Sequence, residues 1–193
     1  MSAAQNLSVK SHSAPGERSK SSLAFEALWR ALPRTGLIPA RSDFNPARAG
    51  KLLPKLVLVE APNPKHPGLF FRLAGQLLNE SVQANIAGTN WLDFLPAEHH
   101  AEAQESARLI CGHPCGVWQL TPVHYERGHS QLIEATIFPL GPGADGIPLM
   151  LGSLEILPGI SHRKTEAGKA LSAETSKIYE FIDVGAGVPV LKV

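Results

Sequence analysis

Two cysteines and a histidine stand close together in the second half of the chain, at Cys111, His113 and Cys115. Thiolate and imidazole groups are ligands that zinc prefers, and His124 or His129 could complete such a set. A structural zinc site, however, usually has two cysteine pairs, each with two residues between the thiols. This chain has one looser pair. The spacing therefore favours two ordinary buried thiols at a corner between a helix and a strand, and we expect no metal site.

Side chains for acid–base or nucleophilic catalysis are poorly arranged. Glu98 and Glu102 lie four residues apart around His99 and His100, and on one solvated helix face such carboxylates repel each other. No serine has the sequence context of a nucleophile elbow, and no glycine-rich phosphate loop precedes a helix. We therefore expect no catalytic residue and no enzymatic activity.

Length and composition restrict the classes of protein to be considered. The 193 residues include 18 Lys and Arg against 17 Asp and Glu, and 44% of them are hydrophobic. One domain with a real core is expected. The net charge of +1 argues against nucleic-acid binding, which needs clustered basic residues. Because the two cysteines are too few for a disulfide framework and neither a membrane span nor a secretory leader is visible, we expect a cytoplasmic protein.

The elements that must position any site begin after a polar N-terminal segment. Residues 1–21 are rich in Ser, Lys and Ala, have almost no large apolar side chain, and are predicted to be disordered. An amphipathic helix is expected over residues 23–32, since apolar residues recur there at spacings of three, four and seven. These candidate interaction residues are Phe25, Leu28, Trp29 and Leu32. They would either pack on their own domain or pair with a second copy of the chain, and the pattern favours neither.

Five strands and several helices are expected in the remainder. Alternation, apolar runs and turn compositions predict strands at residues 56–61, 69–74, 115–125, 131–140 and 149–157. Short helices are expected at 76–82 and 90–95, and a long one at 97–112, all between the second and third strands. Residues 161–193 are interpreted as a polar, partly helical extension.

A proline-bounded loop at residues 39–46 contains Arg41 and Asp43. Polar side chains in such loops usually satisfy backbone groups, so both residues are interpreted as structural, with Asp43 capping the short helix that follows. Arg72 is the only charge in its strand, and a guanidinium on a half-buried strand must meet an acceptor or reach water. We expect Arg72 to brace the loop through Asp43.

Four short motifs follow one another along the chain: Pro39-Ala-Arg41-Ser-Asp43-Phe-Asn-Pro46, Leu53-Pro54, Phe71-Arg72-Leu73-Ala74-Gly75 and Gly88-Thr-Asn90-Trp91-Leu-Asp-Phe94-Leu-Pro96-Ala-Glu98. In this order and spacing the chain resembles a bacterial family of single PAS-domain proteins, over residues 23–158. The resemblance implies an α+β domain over residues 22–160, with a five-stranded antiparallel sheet. Short helices and one long helix would cover one face of that sheet.

The resemblance also implies a function. A PAS domain is expected to be a sensory or regulatory module that binds a small ligand or a protein partner in signal transduction. Aromatic side chains between the short helices and the sheet would wall a ligand pocket, with Asn90 and His99 as polar handles. The expected pocket residues are Asn90, Trp91, Phe94, His99 and Trp118. The alternative is a carrier or an enzyme that uses the same cavity for a small molecule.

Two cofactors are considered from the resemblance, and neither is assigned. His99 stands roughly where haem-binding PAS sensors place an iron-ligating histidine, which makes a haem sensor a minor variant of this interpretation. A light-sensing flavin domain of this class would carry a cysteine directly after Asn90. Because the chain has Trp91 there and so lacks the adduct-forming thiol, we expect a flavin adduct, and with it the light-sensing flavin interpretation, to be excluded. The partner would be an unidentified regulatory protein or a second copy of the chain.

Overall fold

The computed structural model of the chain describes residues 17–64, 66–125, 130–157, 170–173, 176 and 178–189. Its helices are α1 (Lys20–Arg30), α2 (Gln76–Val82) and α3 (His100–Gly112). Its strands are β1 (Leu56–Glu60), β2 (Phe71–Ala74), β3 (Cys115–Tyr125), β4 (Ser130–Leu140), β5 (Leu149–Ile156), β6 (Ala170–Ala173) and β7 (Ile178–Asp183). Short 3₁₀ segments occupy Arg41–Asp43, Pro46–Lys55, Trp91–Phe94 and Ala97–His99. None of the helices in the described part of the chain is long and apolar enough to cross a membrane.

The strands form one antiparallel sheet in the order β2-β1-β5-β4-β3, with β6 and β7 both beside β3. The predicted α+β architecture is confirmed, because the first five strands and the helices between β2 and β3 occur where the sequence patterns place them. β1 lies between β2 and β5 and is buried along its whole length, as its unbroken run of Leu and Val indicates.

The prediction of a partly helical C-terminal extension is wrong in the described residues. β6 and β7 are strands, and they pair with the two halves of β3, from Cys115 opposite Asp183 to Tyr125 opposite Ala170. Two physical reasons favour this arrangement. The sequence of β7 is rich in aromatic and β-branched residues, which suit a strand. Without β6 and β7, the long strand β3 would also present a row of unpaired backbone groups at the edge of the sheet.

Side-chain alternation divides most of the core into two large clusters, one on each face of the sheet, and a smaller third cluster contains Val123, Tyr125 and Ile133. The face covered by α2 and α3, here called the helix face, includes Val117 and Ile137. The opposite face, here called the α1 face, includes Phe138 together with Phe25 and Trp29 of α1. Adjacent residues of one strand therefore belong to different cores.

Helix α1 begins earlier than the sequence pattern predicts. Its first residue is Lys20, and Ser19 caps it by accepting a 3.1 Å hydrogen bond from the Ser22 backbone N–H. Residues 17–21 therefore have a defined structure, and the predicted disordered segment 1–21 is wrong there. Its remainder, residues 1–16, lies outside the described part of the chain.

The apolar residues of α1 pack on the protein's own sheet. Phe25 and Trp29 are fully buried, with ring centroids 5.9 Å and 4.7 Å from that of Phe138. The Trp29 indole N–H donates a 2.9 Å hydrogen bond to the carbonyl oxygen of Pro139, so its one polar group is satisfied. Burial of each ring contributes about 3 kcal/mol, which is enough to hold a three-turn helix on the sheet.

The proline-bounded loop is stabilised by hydrogen bonds of Asn45 and Arg41. Asn45, and not Asp43, caps the segment Pro46–Lys55: its side-chain oxygen accepts a 3.0 Å hydrogen bond from the Ala47 N–H. Arg41 donates to the Phe44 carbonyl oxygen at 3.1 Å, in keeping with a structural role. Asn45 immediately precedes the segment, which is the position from which a short polar side chain reaches the free N–H groups.

Arg72 does not brace that loop. Its guanidinium forms ion pairs with Glu60 and Asp145. The pairing of β1 with β2 contains an irregularity between Leu58 and Val59, and Arg72 lies in it. The side chain therefore reaches across the edge of the sheet to the loop between β4 and β5. The expected contact with Asp43 is wrong.

Candidate functional site

The candidate site lies on the helix face, around a core to which β1–β5, α2, α3 and the segment Trp91–Phe94 all contribute. Its buried members are Val57, Val59, Leu69, Phe71, Val82, Ile86, Leu92, Ala107, Ile110, Cys115, Val117, Ile137 and Met150. Apart from the thiol of Cys115, these side chains carry no polar group. A molecule that entered between α3 and the sheet would meet an almost wholly hydrocarbon surface.

The border of this core is only partly covered. Among the described residues, ten hydrophobic side chains pack against it while remaining partly exposed: Ala74, Leu78, Trp91, Phe94, Leu95, Ala103, Cys111, Leu154, Tyr179 and Phe181. The α1-face core has five such neighbours in the described chain. The helix-face core therefore has more partly exposed apolar neighbours than the α1-face core.

Two of the predicted pocket residues, Trp91 and Phe94, lie at this border. Asn90 positions them: its side-chain oxygen accepts hydrogen bonds from the backbone N–H of Leu92 at 3.2 Å and of Leu69 at 2.9 Å. The Trp91 ring lies 6.4 Å from Phe71 between centroids, tilted by 39°. The oxygen of Asn90 is thus used to fix the segment Trp91–Phe94 against the start of β2.

Trp118 is not part of this group, and its prediction as a pocket wall is wrong. Strand alternation places Val117 on the helix face, so that Trp118 points to the α1 face. There its indole N–H donates a 2.7 Å hydrogen bond to Oε1 of Glu134. The sheet itself separates Trp118 from Trp91.

His99 is a partly exposed residue immediately before α3. It ends the 3₁₀ segment Ala97–His99, which passes directly into α3 at His100, so the predicted helix over 97–112 is confirmed with a 3₁₀ first turn. Its side chain is 30% exposed, and Nδ1 lies 3.9 Å from a carboxylate oxygen of Glu102. The structure therefore brings together Asn90, Trp91 and Phe94, and it places His99 at the rim.

Sequence reasoning missed the polar groups of this region. The hydroxyl groups of Ser106 on α3 and Tyr179 on β7 form a hydrogen bond, and burial raises the pKa of Tyr179 to about 12. Gln119 lies on the helix face between Ala135 and Tyr179 of the neighbouring strands. The alternation of β3 could have identified Gln119, whereas Tyr179 was not assigned to the site because its segment was interpreted as a polar, partly helical extension.

A profile of the PAS domain matches residues 17–155, which is more than half of the chain. The chain belongs to the PAS domain family. Membership supports a sensory signalling module, and PAS domains in general act without catalysis and mediate protein interactions and dimerisation. No curated protein matches the chain.

Several solved structures of PAS-like proteins are similar to the chain. A light-oxygen-voltage (LOV) protein of Rhodobacter sphaeroides is 17% identical with a TM-score of 0.42, over 72% of this chain and 69% of that one. The Vibrio cholerae receptor VqmA is 20% identical with a TM-score of 0.44, over 58% of this chain and 50% of its own. A fungal LOV photoreceptor is 21% identical with a TM-score of 0.38, over 53% and 72%. Identities this low show a shared fold and nothing more.

The exclusion of flavin on the ground of Trp91 is wrong. LOV proteins are among the similar structures, one of them determined with a flavin analogue. Trp91 replaces only the thiol that would form an adduct, and noncovalent binding does not require that thiol. A flavin therefore belongs among the ligands to be tested.

The two thiols of the PAS domain are unreactive in this setting. Burial raises the pKa of Cys111 to about 12 and that of Cys115 to about 11, so both remain protonated at neutral pH. In the described part of the chain, no three side chains of His, Cys, Asp or Glu come together as metal ligands.

A polar cluster on the α1 face also escaped sequence reasoning. Glu134 is only 2% exposed, and its Oε1 accepts hydrogen bonds from the Trp118 indole and, at 2.9 Å, from the backbone N–H of Ser19. The hydroxyl groups of Ser22 and Thr136 share a 2.6 Å hydrogen bond nearby. The first turn of α1 is therefore held on the sheet by polar contacts and the later turns by Phe25 and Trp29.

The segment after β7 connects the C-terminal strand to the other end of α1. Oδ1 of Asp183 accepts hydrogen bonds from the N–H groups of Gly185 and Gly187, at 2.7 Å and 2.9 Å, and these hold the pKa of Asp183 below its usual value. Both glycines have positive φ, at 115° and 79°, which other residues rarely adopt. Arg30 of α1 donates to the carbonyl oxygen of Asp183 at 2.9 Å.

The predicted interaction residues are mostly occupied within their own PAS domain. Phe25 and Trp29 are buried against the sheet, and Leu28 and Leu32 pack partly against the same core. Pairing with a second copy through these four side chains would require α1 to leave the sheet.

Proposed function

We propose that this PAS domain is a sensory module whose helix face binds a small, mainly apolar ligand between α3, the segment Trp91–Phe94 and the sheet. The observation that carries the proposal is the partly exposed apolar border of the helix-face core. Small-molecule sites are mostly apolar with a few polar groups that fix orientation. In this site Gln119 and the Ser106–Tyr179 pair would supply those groups. The module itself is proposed to be non-catalytic.

The output of the module is proposed to pass through the sheet to α1. Successive residues of β3 and β4 point alternately to the helix face and to the α1 face. Val117 on the helix face is therefore bonded directly to Trp118 on the α1 face. A shift of β3 would therefore alter the Trp118–Glu134 hydrogen bond, and with it the contact of Glu134 with Ser19. The ligand changes the output only if it binds the docked and undocked arrangements of α1 with different affinity.

The partner that binds undocked α1 is proposed to be a regulatory protein of the bacterial cytoplasm. Both cysteines of the chain are free thiols, which is the state that a reducing compartment maintains. An undocked α1 would expose Phe25 and Trp29 as anchors for that partner, since buried aromatic residues often dominate protein interfaces.

Native mass spectrometry of the purified protein tests the ligand directly, because a retained small molecule adds its mass to that of the chain. Titration with two probes, an anilinonaphthalene sulfonate dye and flavin mononucleotide, follows with tryptophan fluorescence as the signal. We expect Trp91→Phe to remove most of the response and Trp29→Phe to preserve it, since Trp29 lies on the other face. A protein that retains nothing and binds neither probe contradicts the proposal.

A space-filling variant shows whether the region is open. Ala103 of α3 packs against the helix-face core, whereas Ala27 of α1 is exposed. If a ligand occupies the space, Ala103→Leu abolishes probe binding with little change in stability, and the matched control Ala27→Leu binds normally. If side chains already fill the region, Ala103→Leu costs about 1–3 kcal/mol of overpacking, and the binding proposal is wrong.

A further inference from the structure

The small net charge of the chain conceals a strong separation of charge. Residues 17–55 contain eight Lys and Arg but three Asp and Glu, whereas residues 75–113 contain five Asp and Glu but one Arg. The first range supplies the layer over the α1 face and the second supplies the layer over the helix face. These two layers therefore carry opposite net charge.

The positive side has a well-defined exposed surface, here called the basic surface. It consists of Lys20 and Leu23 on α1 and of Arg48, Lys51 and Leu53 on the segment Pro46–Lys55. The two elements adjoin, since the Lys55 ammonium donates a 3.1 Å hydrogen bond to the Ser21 hydroxyl.

Charge and apolar area occur together on the basic surface. Leu23 is 52% exposed and Leu53 is 40% exposed, and they are two of the four large hydrophobic residues that stand out in the described chain. None of Lys20, Arg48 and Lys51 has an ion pair with any described carboxylate, unlike Arg18, Arg30 and Lys55. Free cations around exposed leucines are a combination that an acidic protein surface would complement.

The negative side presents such a surface, here called the acidic surface. It consists of Asp93, Glu98, Glu102 and Glu105, on the segment Trp91–Phe94 and on α3 with the turn before it. Its one cation is Arg108, which pairs with Glu105 at 3.3 Å. The exposed residues between the carboxylates, Ala97 and Ala101, are small, so a second protein surface can approach α3 closely.

We propose that two copies of this chain associate head to tail, with the basic surface of one copy docked on the acidic surface of the next. A two-fold pair through the basic surface would instead place Lys51 and Arg48 against their own counterparts, and such like-charge contacts are strongly unfavourable. Because the two surfaces lie on opposite sides of the sheet, the contact is heterologous and leaves one free surface at each end. Association therefore continues into rings or chains.

This contact between copies is independent of the proposed ligand site. It uses the exposed sides of α1 and α3, whereas the ligand is proposed to lie beneath α3. Because the attraction is between exposed charges, it weakens as salt shortens the range of electrostatic interactions, to about 8 Å at physiological ionic strength. The protein would assemble more readily where the ionic strength is low.

Two charge-reversal variants of the full chain test the proposal. Arg48→Glu with Lys51→Glu reverses the basic surface, and Glu98→Lys with Glu105→Lys reverses the acidic surface. All four side chains are exposed, so folding should persist and can be verified by circular dichroism. In sedimentation velocity at low salt we expect the unmodified protein to associate. The association constant of each variant should be lower by roughly a hundredfold, so each variant should sediment as a monomer. Glu180→Lys, on exposed β7, is the control and should associate normally.

An equimolar mixture of the two variants gives the decisive result. Each variant retains one intact surface, and the two intact surfaces are complementary, so the mixture is expected to associate although neither variant does so alone. A mixture that remains monomeric, or a variant that associates like the unmodified protein, overturns the proposal. It is also overturned if the unmodified protein stays monomeric at low salt. Binding of that protein to duplex DNA or anionic vesicles, lost in Arg48→Glu with Lys51→Glu, would then identify a different occupant of the basic surface. Loss of ligand binding alone leaves all these outcomes unchanged.

Discussion

The hydrogen bond between Trp118 and Glu134 is predicted to be a main polar contribution to the docking of α1. Replacing Trp118 with Phe removes the indole donor but keeps an aromatic ring. Glu134 would then retain the single donor Ser19, and its Oε2 already lacks a hydrogen-bond partner among the described residues. A buried polar group that loses a partner costs about 1–3 kcal/mol, and the smaller ring adds about 1 kcal/mol through the space it leaves.

The expected destabilisation is therefore about 2–4 kcal/mol. For a chain of this length each kcal/mol lowers the melting temperature by about 2–4 °C, so Trp118→Phe should lower it by roughly 4–16 °C. Urea unfolding followed by far-ultraviolet circular dichroism gives the free energy without relying on tryptophan fluorescence. Hydrogen exchange should accelerate most in the first turn of α1, at Ser22 and Leu23, because the N-terminus of that helix is held through Glu134.

A double-mutant cycle separates the hydrogen bond from the loss of ring area. Trp118→Phe and Glu134→Gln should couple by about 1–2 kcal/mol, since they remove the two ends of one interaction. Trp29→Phe is a matched control: it also loses one indole hydrogen bond, to the Pro139 carbonyl oxygen, yet it does not touch Glu134. Its effect should add to that of Glu134→Gln within about 0.5 kcal/mol. Equal additivity in both cycles would refute the reasoning.

Two further predictions concern the charges and hydroxyl groups of the sheet. Arg72→Leu and Asp145→Asn should couple by no more than about 1 kcal/mol in urea unfolding, because both side chains are substantially exposed, whereas Arg72→Leu and Asp43→Asn should be additive. Burial raises the pKa of Tyr179 to about 12 and also raises that of Tyr125, so the folded state holds both protons more tightly than the unfolded state. The free energy of unfolding should therefore be steady below about pH 10 and fall as the pH rises towards 12. Tyrosinate absorbance that appears near pH 10, before circular dichroism changes, would contradict this.

The strands were predictable from the sequence because several local signals agree. β1 is a run of Leu and Val between a turn and a proline-rich loop, and short glycine-containing sequences separate β3, β4 and β5. Such signals depend on neighbouring residues, which a sequence displays directly. The same is true of α2, whose boundaries coincide with its apolar spacing and with Gly75.

The assignment of side chains to faces was less predictable. In β3 the consecutive residues Val117 and Trp118 are both apolar, so the sequence does not show which of them points towards α3. An error of one residue moves every side chain of a strand to the other face, and this explains the misplacement of Trp118. Arg72 illustrates a related difficulty, since its partner is decided by an irregularity in strand pairing and not by the number of residues between the charges.

The C-terminal strands were missed because their partner is distant. Tyr179 and Phe181 alternate with Glu180 and Ile182 in a pattern that is compatible with a strand, but the segment is short and follows a polar stretch. The segment forms a strand because it pairs with the otherwise unpaired edge of β3. The position of Tyr179 in the candidate site depends on that pairing, so it could not be predicted without it.

The central position of β5 has a consequence for how the protein is synthesised. β1 pairs with β5 from Leu56 opposite Ser153 to Glu60 opposite Leu149, so a ribosome adds nearly ninety residues after β1 before its partner exists. During that interval β1 and the apolar side of α1 have no sheet to cover them. The contiguous hairpins of β3, β4 and β5 can form first, because they need only short loops to close. The N-terminal third of the nascent chain would then join a preformed meander, and until it does it offers a hydrophobic segment to chaperones.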